Sequence, residues 1–180
     1  MDLVTRLLAF ARCALALPAT AGLVAAGPAG AAEPSEYAVK AAYLAKFPAY
    51  VEWPPEAFAT PTSPVVVCVV GDDPFGPLLD EALAAHQVQG RPMTARRLKA
   101  VARDSGCHIV FLSGDARGEG LRSALVVTDS ASGGGVINFV LRDKRVRFTV
   151  DDEAAAQNGL AISSKLLSVA LSVKPRGSRG

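Results

Sequence analysis

The run Val65–Val70, which reads VVVCVV, restricts the fold of this chain more than any other segment. It has no polar side chain for a solvated face, and all its residues except Cys68 are β-branched. Such a run is typical of a strand buried on both faces, as in a parallel sheet that other elements cover. Asp73 and Pro74 follow, and because Asp suits an N-cap and Pro the first helical position, we predict a helix that begins at Pro74.

Similar patterns predict the remaining elements of the domain. Further strands are expected at residues 91–98, 108–113, 136–141 and 145–150. Helices are expected after the capping residues Ser35 and Ser163 and around residues 121–125. Hydrophobic residues make up 50% of the chain, which excludes a disordered protein. We therefore expect a single α/β domain in which helices flank both faces of a mixed β-sheet that ends in a late antiparallel hairpin.

Residues 1–32 differ in composition from everything that follows. Arg6 and Arg12 precede an uncharged run at residues 13–26, and Ala29-Gly30-Ala31 offers the small residues of a cleavage site. This order is typical of a secretory signal peptide. A retained membrane anchor is the alternative, but the uncharged run is shorter than the roughly 20 residues that a spanning helix needs. We predict a signal peptide at 1–32, a domain at 33–174 and a flexible tail at 175–180.

Two cysteines, Cys68 and Cys107, remain after the predicted signal peptide is removed. An even pair in an exported protein favours a disulfide, and the two residues lie in or beside strands that we expect to be neighbours. Two separate buried thiols are the alternative. Neither cysteine has His or Cys neighbours at the spacing of a zinc site, so we expect no metal.

Charge and motif spacing restrict the function further. The formal net charge is only +2, and no concentrated basic face is visible in the sequence, so we expect no nucleic-acid partner. Asp72, Asp73 and Asp115 follow predicted strands and could hold Mg²⁺ or line a ligand crevice, although helix capping and turns also explain them. We find no nucleophile paired with a base, and we expect neither catalysis nor a cofactor.

Several segments together resemble the YfiR family of periplasmic regulatory proteins. They lie in the same order over most of residues 36–171, at Val39–Leu44 with Phe47, Val51–Pro54, Gly71–Gly76, Gly90–Pro92, Cys107–Phe111, Gly134–Val140, Gly159-Leu160 and Ile162–Leu167. The resemblance implies an α/β domain, commonly dimeric, with a disulfide between Cys68 and Cys107. A second cysteine pair that some relatives carry near the final hairpin is absent here, and Pro48 departs from the usual first helix.

The resemblance also implies a function and its partners. Members of the family repress a diguanylate cyclase of the inner membrane by contacting its periplasmic sensor region. An outer-membrane lipoprotein can sequester the repressor, which releases cyclic-di-GMP synthesis and favours biofilm formation. We therefore expect a periplasmic repressor that is not an enzyme. A periplasmic small-molecule sensor, which would use the strand-end crevice near Asp72, Asp73 and Asp115, is the alternative.

Seven side chains are candidates for contacts with a partner or ligand. Tyr43, Phe47 and Trp53 belong to an aromatic-rich segment near the mature N-terminus, and aromatic residues are favoured as interface anchors. The polar candidates within the matched segments are Asn138, Arg145, Arg147 and Lys165. Packing on the sheet, for the aromatic residues, and structural pairing or solvation, for the polar ones, are the alternatives.

Overall fold

The computed structural model describes residues 34–118 and 120–177, and the predicted signal peptide lies outside them. The helices are α1 (Glu36–Lys46), α2 (Pro77–Ala84), α3 (Asp152–Gln157) and α4 (Ser164–Val169). The strands are β1 (Val51–Glu52), β2 (Val65–Val70), β3 (Gln87–Val88), β4 (Arg91–Leu98), β5 (Ile109–Leu112), β6 (Leu125–Thr128), β7 (Ile137–Arg142), β8 (Arg145–Asp151), β9 (Ala161–Ile162) and β10 (Ser172–Lys174).

Eight of these strands form one mixed sheet in the order β10-β8-β7-β6-β5-β2-β4-β3. Strands β4, β2, β5, β6 and β7 run parallel, whereas β7 and β8 form an antiparallel hairpin. The short strands β1 and β9 pair with each other in a separate sheet. The predicted single α/β domain with a mixed sheet and a late antiparallel hairpin is therefore confirmed.

Helices α1 and α2 cover one face of this sheet. The ring of Phe75 lies 4.8 Å from that of Phe111 on β5 and 5.5 Å from that of Tyr37 on α1. Ser35 caps α1 as predicted, because its side chain accepts a hydrogen bond from the backbone N–H of Ala38. Every residue of β5 and β6 is buried, so the two faces of the sheet centre are both covered.

The helix predicted around residues 121–125 is wrong. Leu125 begins β6 instead, and the described residues between β5 and β6 contain no helix. Tertiary hydrogen bonds hold this segment: the backbone N–H of Ser123 donates to Asn158, and the Asn158 side chain donates to the carbonyl of Ala124. These contacts cross more than 30 residues of chain, so the local apolar pattern gave no indication of them.

Helix α2 begins at Pro77 rather than at the predicted Pro74. Asp73 instead closes a turn, in which one carboxylate oxygen accepts hydrogen bonds from the N–H groups of Phe75 and Gly76 at 2.8 and 3.2 Å. Both prolines suit a first helical position, and the sequence pattern did not distinguish them. The shift matters because the carboxylate of Asp73 forms hydrogen bonds within this turn.

Cys68 on β2 and Cys107, two residues before β5, form a disulfide, with their Cα atoms 5.8 Å apart. The predicted pairing is confirmed. Strands β2 and β5 are neighbours in the sheet, so the disulfide joins β2 to the segment that leads into β5, 39 residues further along the chain.

Candidate interaction surface

The end of α1 forms one wall of an open apolar groove. Pro48 has no N–H to donate, and the α-helix ends at Lys46, after which Phe47–Tyr50 form a tighter 3-10 turn. This turn buries Phe47 but leaves Tyr50 39% exposed. Pro48 lies in this turn, directly after the end of the α-helix, and the turn places the exposed aromatic residue Tyr50 at the rim.

Helix α4 forms the opposite wall. The pairing of Val51 with Ile162 brings β9 beside the end of the 3-10 turn, and the N–H of Ser163 donates to the carbonyl of Tyr50 at 2.9 Å. Ser163 then caps α4 by accepting from the N–H of Leu166. The chain thus returns to Tyr50 just where its last helix begins, and this return fixes the width of the groove.

We call this feature the α1–α4 groove. It encloses about 410 Å³ and is lined by Tyr43, Lys46, Phe47, Tyr50, Phe148, Lys165, Leu166, Ser168 and Val169. Val169 is 57% exposed, although an apolar side chain of this size is usually buried. An exposed apolar groove with a polar rim is the usual form of a protein-binding surface.

Four aromatic rings support the groove from beneath. The rings of Tyr43 and Phe47 stack 5.6 Å apart, and each lies within 6 Å of both Phe139 on β7 and Phe148 on β8. Phe139 and Phe148 face each other across the hairpin. This cluster ties the position of the groove to the sheet, so the groove is preformed.

Two lysines stand at the rim of the α1–α4 groove. Lys46 and Lys165 are both exposed, and neither takes part in an ion pair within residues 34–118 and 120–177. The groove therefore combines an apolar floor with two uncompensated positive charges, which suits an apolar partner segment flanked by carboxylates.

A second concavity lies at the carboxyl ends of β5 and β6. It encloses about 180 Å³, and Asp115, Arg117, Ser130 and Ser132 supply its polar lining. Asp72 and Asp73, which we expected beside Asp115, do not line it. Asp73 pairs instead with Arg97 at 2.9 Å. The structure therefore brings only one of the three predicted carboxylates to this crevice.

The space between the ends of β2 and β5 is closed by the chain itself. A Cβ atom at Gly71 would lie only 3.2 Å from the carbonyl oxygen of Ser113 and 3.4 Å from the Cβ of Ala116. Gly71 also has φ of +90°, which favours glycine. This is the point where the strand order reverses, the usual ligand site of an open α/β sheet, and here the turn after β5 fills it.

Comparison with known proteins identifies the family. A model of the YfiR/HmsC-like family matches residues 37–171, which is most of the chain. The chain belongs to the YfiR/HmsC-like family. A search of curated proteins found no match.

Membership of the YfiR/HmsC-like family supports, at the level of the family, a periplasmic regulator of diguanylate cyclase. Proteins of this family are regulatory. Within the described part of the chain, no cluster of three or more His, Cys, Asp or Glu side chains could hold a metal ion. No helix in that same part is long and apolar enough to cross a membrane.

The structure brings three of the seven predicted residues of this YfiR/HmsC-like chain together. Tyr43, Phe47 and Lys165 line the α1–α4 groove, whereas Trp53 does not. Trp53 lies in a separate concavity of about 560 Å³ that Phe58 and Arg91 also line. There its ring packs edge-on against His108, 5.8 Å away.

His108 holds the segment that follows Trp53 in place. Its Nδ1 accepts a hydrogen bond from the N–H of Val66 at 3.0 Å, and its Nε2 lies 2.9 Å from the carbonyl oxygen of Ala57. Because Nδ1 is an acceptor, the ring is neutral and donates through Nε2. Burial lowers the pKa of His108 below its usual value, which agrees with a neutral ring.

The other three predicted residues lie apart from the groove. Asn138 closes its own loop by bonding both the N–H and the carbonyl of Gly135. Arg145 lines a concavity with Glu36 and Val146, and Arg147 lies opposite Val140 in the β7–β8 hairpin. Sequence patterns missed the groove residues Lys46, Leu166 and Val169, because nothing local predicts that α4 packs beside the end of α1.

Proposed function

We propose that the mature protein works in the periplasm as a repressor of an inner-membrane diguanylate cyclase. It binds the periplasmic sensor region of the cyclase through the α1–α4 groove and lowers cyclic-di-GMP synthesis and biofilm formation. The signal peptide predicted at residues 1–32 exports it, and the role is that of a binding protein rather than an enzyme. Family membership and the disulfide support this proposal.

The observation that carries the proposal is the exposure of Val169 and Tyr50 on either side of the α1–α4 groove. Leaving these apolar surfaces in water costs free energy that a partner would recover on binding. The aromatic floor gives the partner a rigid surface, so little conformational entropy is lost there. Lys46 and Lys165 would orient a partner that carries carboxylates beside its apolar contact residues.

Replacing Val169 with Glu tests the role of the groove. Val169→Glu places a charge in the apolar contact, and we expect binding of the purified sensor region to weaken about 30-fold or more, as for an interface hot spot. In a host that contains the cyclase, cyclic-di-GMP should rise toward the level of a deletion strain. Calorimetry and cyclic-di-GMP measurement are the readouts.

Leu141→Glu is the matched control for this experiment. Leu141 is 59% exposed, nearly the same as Val169 at 57%, but it does not line the α1–α4 groove. We expect Leu141→Glu to keep wild-type binding and repression. Equal loss in both variants, or wild-type repression by Val169→Glu, would contradict the proposal.

Two further partners belong to the same proposal. An outer-membrane lipoprotein would relieve repression by sequestering the protein, and competition for the α1–α4 groove is the simplest way to do so.

We also propose a homodimer as the working form. Light scattering of the mature protein should give twice the monomer mass, and a monomer at all concentrations would refute the dimer alone.

A small-molecule sensor remains a second candidate function because of the crevice at the ends of β5 and β6. Asp115 and Arg117 place opposite charges in it, beside the hydroxyls of Ser130 and Ser132. This arrangement suits a small zwitterion such as an amino acid. Calorimetry with a panel of amino acids should give heat with at least one of them that Asp115→Asn and Arg117→Gln both weaken; no heat from any of them would reject this candidate.

A further inference from the structure

Strand β4 presents a long free edge of the sheet. It pairs with β2 along Met93–Leu98, but on its other side β3 pairs only with Arg91 and Pro92. Six residues of β4 therefore have no strand partner on their outer side within the described residues. At the opposite edge, β10 has only three residues, so β4 is the longer template for an added strand.

The direction of the free backbone groups follows from one hydrogen bond. Gly71, just after β2, donates to the carbonyl of Leu98, so Leu98 faces β2. Residues of a strand alternate between its two neighbours, so Met93, Ala95 and Arg97 direct their N–H and carbonyl groups outward. No hydrogen bond to these groups occurs within residues 34–118 and 120–177.

This edge is also strongly basic. Residues 91–103 contain five Arg or Lys residues and no Asp or Glu, which the small net charge of the whole chain conceals. Arg97 is paired with Asp73 and Asp80. Arg96, Lys99 and Arg103 are exposed and belong to no ion pair in the described part of the chain.

We propose that the outer edge of β4 binds an extended acidic segment of another protein as an added strand. The backbone groups of Met93, Ala95 and Arg97 give the added strand its hydrogen bonds, and Arg96 and Lys99 select carboxylates beside it. A second copy of this chain fits less well. Antiparallel pairing of two β4 edges would place both Arg96 side chains on one face of adjacent strands, where like charges repel.

This surface is separate from the α1–α4 groove. Five strand spacings lie between β8, which lines the groove, and β4, a separation of about 24 Å at the usual spacing of about 4.8 Å. A failure of the β4 proposal would therefore leave the proposed repression through the groove untouched, and the reverse also holds.

Two synthetic peptides test the proposal on the mature protein. The first alternates Glu with Val and can form a strand; the second has the same Glu residues with Pro in place of Val, so half of its backbone donors are missing. By fluorescence anisotropy we expect the Glu-Val peptide to bind at least about tenfold more tightly than the Glu-Pro peptide, and to weaken as salt is raised. Equal affinities, or no binding, would overturn the proposal.

Variants of the edge separate backbone pairing from charge. Ala95→Pro removes an outward N–H without removing a bond to β2, a position where edge strands tolerate Pro, and should weaken the Glu-Val peptide about tenfold. The double variant Arg96→Glu with Lys99→Glu should also weaken binding of the Glu-Val peptide about tenfold. It tests the proposal even if Ala95→Pro does not fold.

The matched control is Arg142→Glu with Lys144→Glu, the same charge change on exposed residues of the β7–β8 turn. It should retain Glu-Val binding, and an equal loss there would overturn the proposal in favour of a general electrostatic effect.

Sedimentation of the protein alone is the last check. A dimer that Ala95→Pro dissociates would show that a second copy occupies the edge and would also overturn it.

Discussion

Two lysines of this protein, Lys40 and Lys165, differ in burial and in ion pairing. Lys40 on α1 is only 4% exposed, and its ammonium lies 2.7 Å from Asp129 and 2.6 Å from Glu36. Lys165 on α4 is exposed at the rim of the α1–α4 groove and has no ion-pair partner in the described residues. The charge of the buried Lys40 is compensated within the domain, whereas the charge of Lys165 is available to the partner proposed for the groove.

The pairing of Lys40 also determines its protonation. Burial by itself would lower the pKa of Lys40, but the hydrogen bonds to Asp129 and Glu36 outweigh it and raise the pKa above its usual value. The ammonium also lies 4.5 Å from the centre of the Tyr37 ring, a cation–π distance. Lys40 therefore stays charged and joins the start of α1 to the loop after β6.

Among the contacts inside the domain, the disulfide should have the largest effect on stability. In Cys68→Ala with Cys107→Ala, the loop of 39 residues is no longer closed, and the chain-entropy model gives a loss of about 4 kcal/mol. Thermal unfolding under oxidising conditions should show a Tm lower by about 10 °C. Reduced wild-type protein is the control and should unfold near the same temperature. An unchanged Tm in the variant would show that the cross-link contributes nothing to stability.

The next effect should come from Lys40 itself. Lys40→Ala leaves Asp129, whose side chain is 16% exposed, without its cation, and breaking a buried pair in this way costs about 3 kcal/mol. Urea unfolding measures the loss. Lys46→Ala on the same helix is the control, since Lys46 is exposed and unpaired in the described residues, and it should change stability by less than about 0.5 kcal/mol. Equal losses would contradict the contrast between compensated and free charges.

A smaller effect on stability is expected from His108, whose buried ring is neutral. Because its folded pKa lies below its unfolded pKa of about 6.5, only the unfolded state gains a proton as the pH first falls below that value. Stability is therefore unaffected above about pH 6.5 and decreases below it, by at most about 1.36 kcal/mol per pH unit, until the folded ring also protonates. In His108→Asn, which keeps an acceptor for the N–H of Val66, this part of the pH dependence should disappear. An identical pH profile in both proteins would assign it to other groups.

The fold was largely predictable because its centre is made of local patterns. The apolar run Val65–Val70 and the alternation of buried Val146, Phe148 and Val150 each identify a strand without knowledge of its neighbours. Strand β10 was missed, because Ser172–Lys174 has little apolar character and depends on pairing with β8. Where a segment is held by distant partners, local periodicity carries no information about it.

The candidate site was less predictable for the same reason. Tyr43 and Phe47 could be singled out because aromatic residues cluster at the start of the predicted domain, but Val169 could not, since its exposure results from the meeting of α1 and α4. The ion pair of Lys40 with Asp129 joins residues 89 positions apart, and no sequence spacing indicates it. Sequence patterns find the residues of a surface one at a time, and tertiary packing decides which of them share it.

The smallest change in stability is expected for Lys165, the exposed lysine of the pair compared above. Lys165→Glu alters an exposed charge without an internal partner, so the free energy of unfolding should stay within about 0.5 kcal/mol of wild type. Binding of the cyclase sensor region should weaken about tenfold, mainly through slower association, because a rim charge acts on the approach of the partner. Stopped-flow association at low and raised salt measures this, and Lys144→Glu, an exposed lysine outside the groove, should behave as wild type. If Lys165→Glu instead destabilised the fold while leaving association unchanged, Lys165 would belong with Lys40 among the internally compensated charges, and the groove would lose one of the two charges that define it.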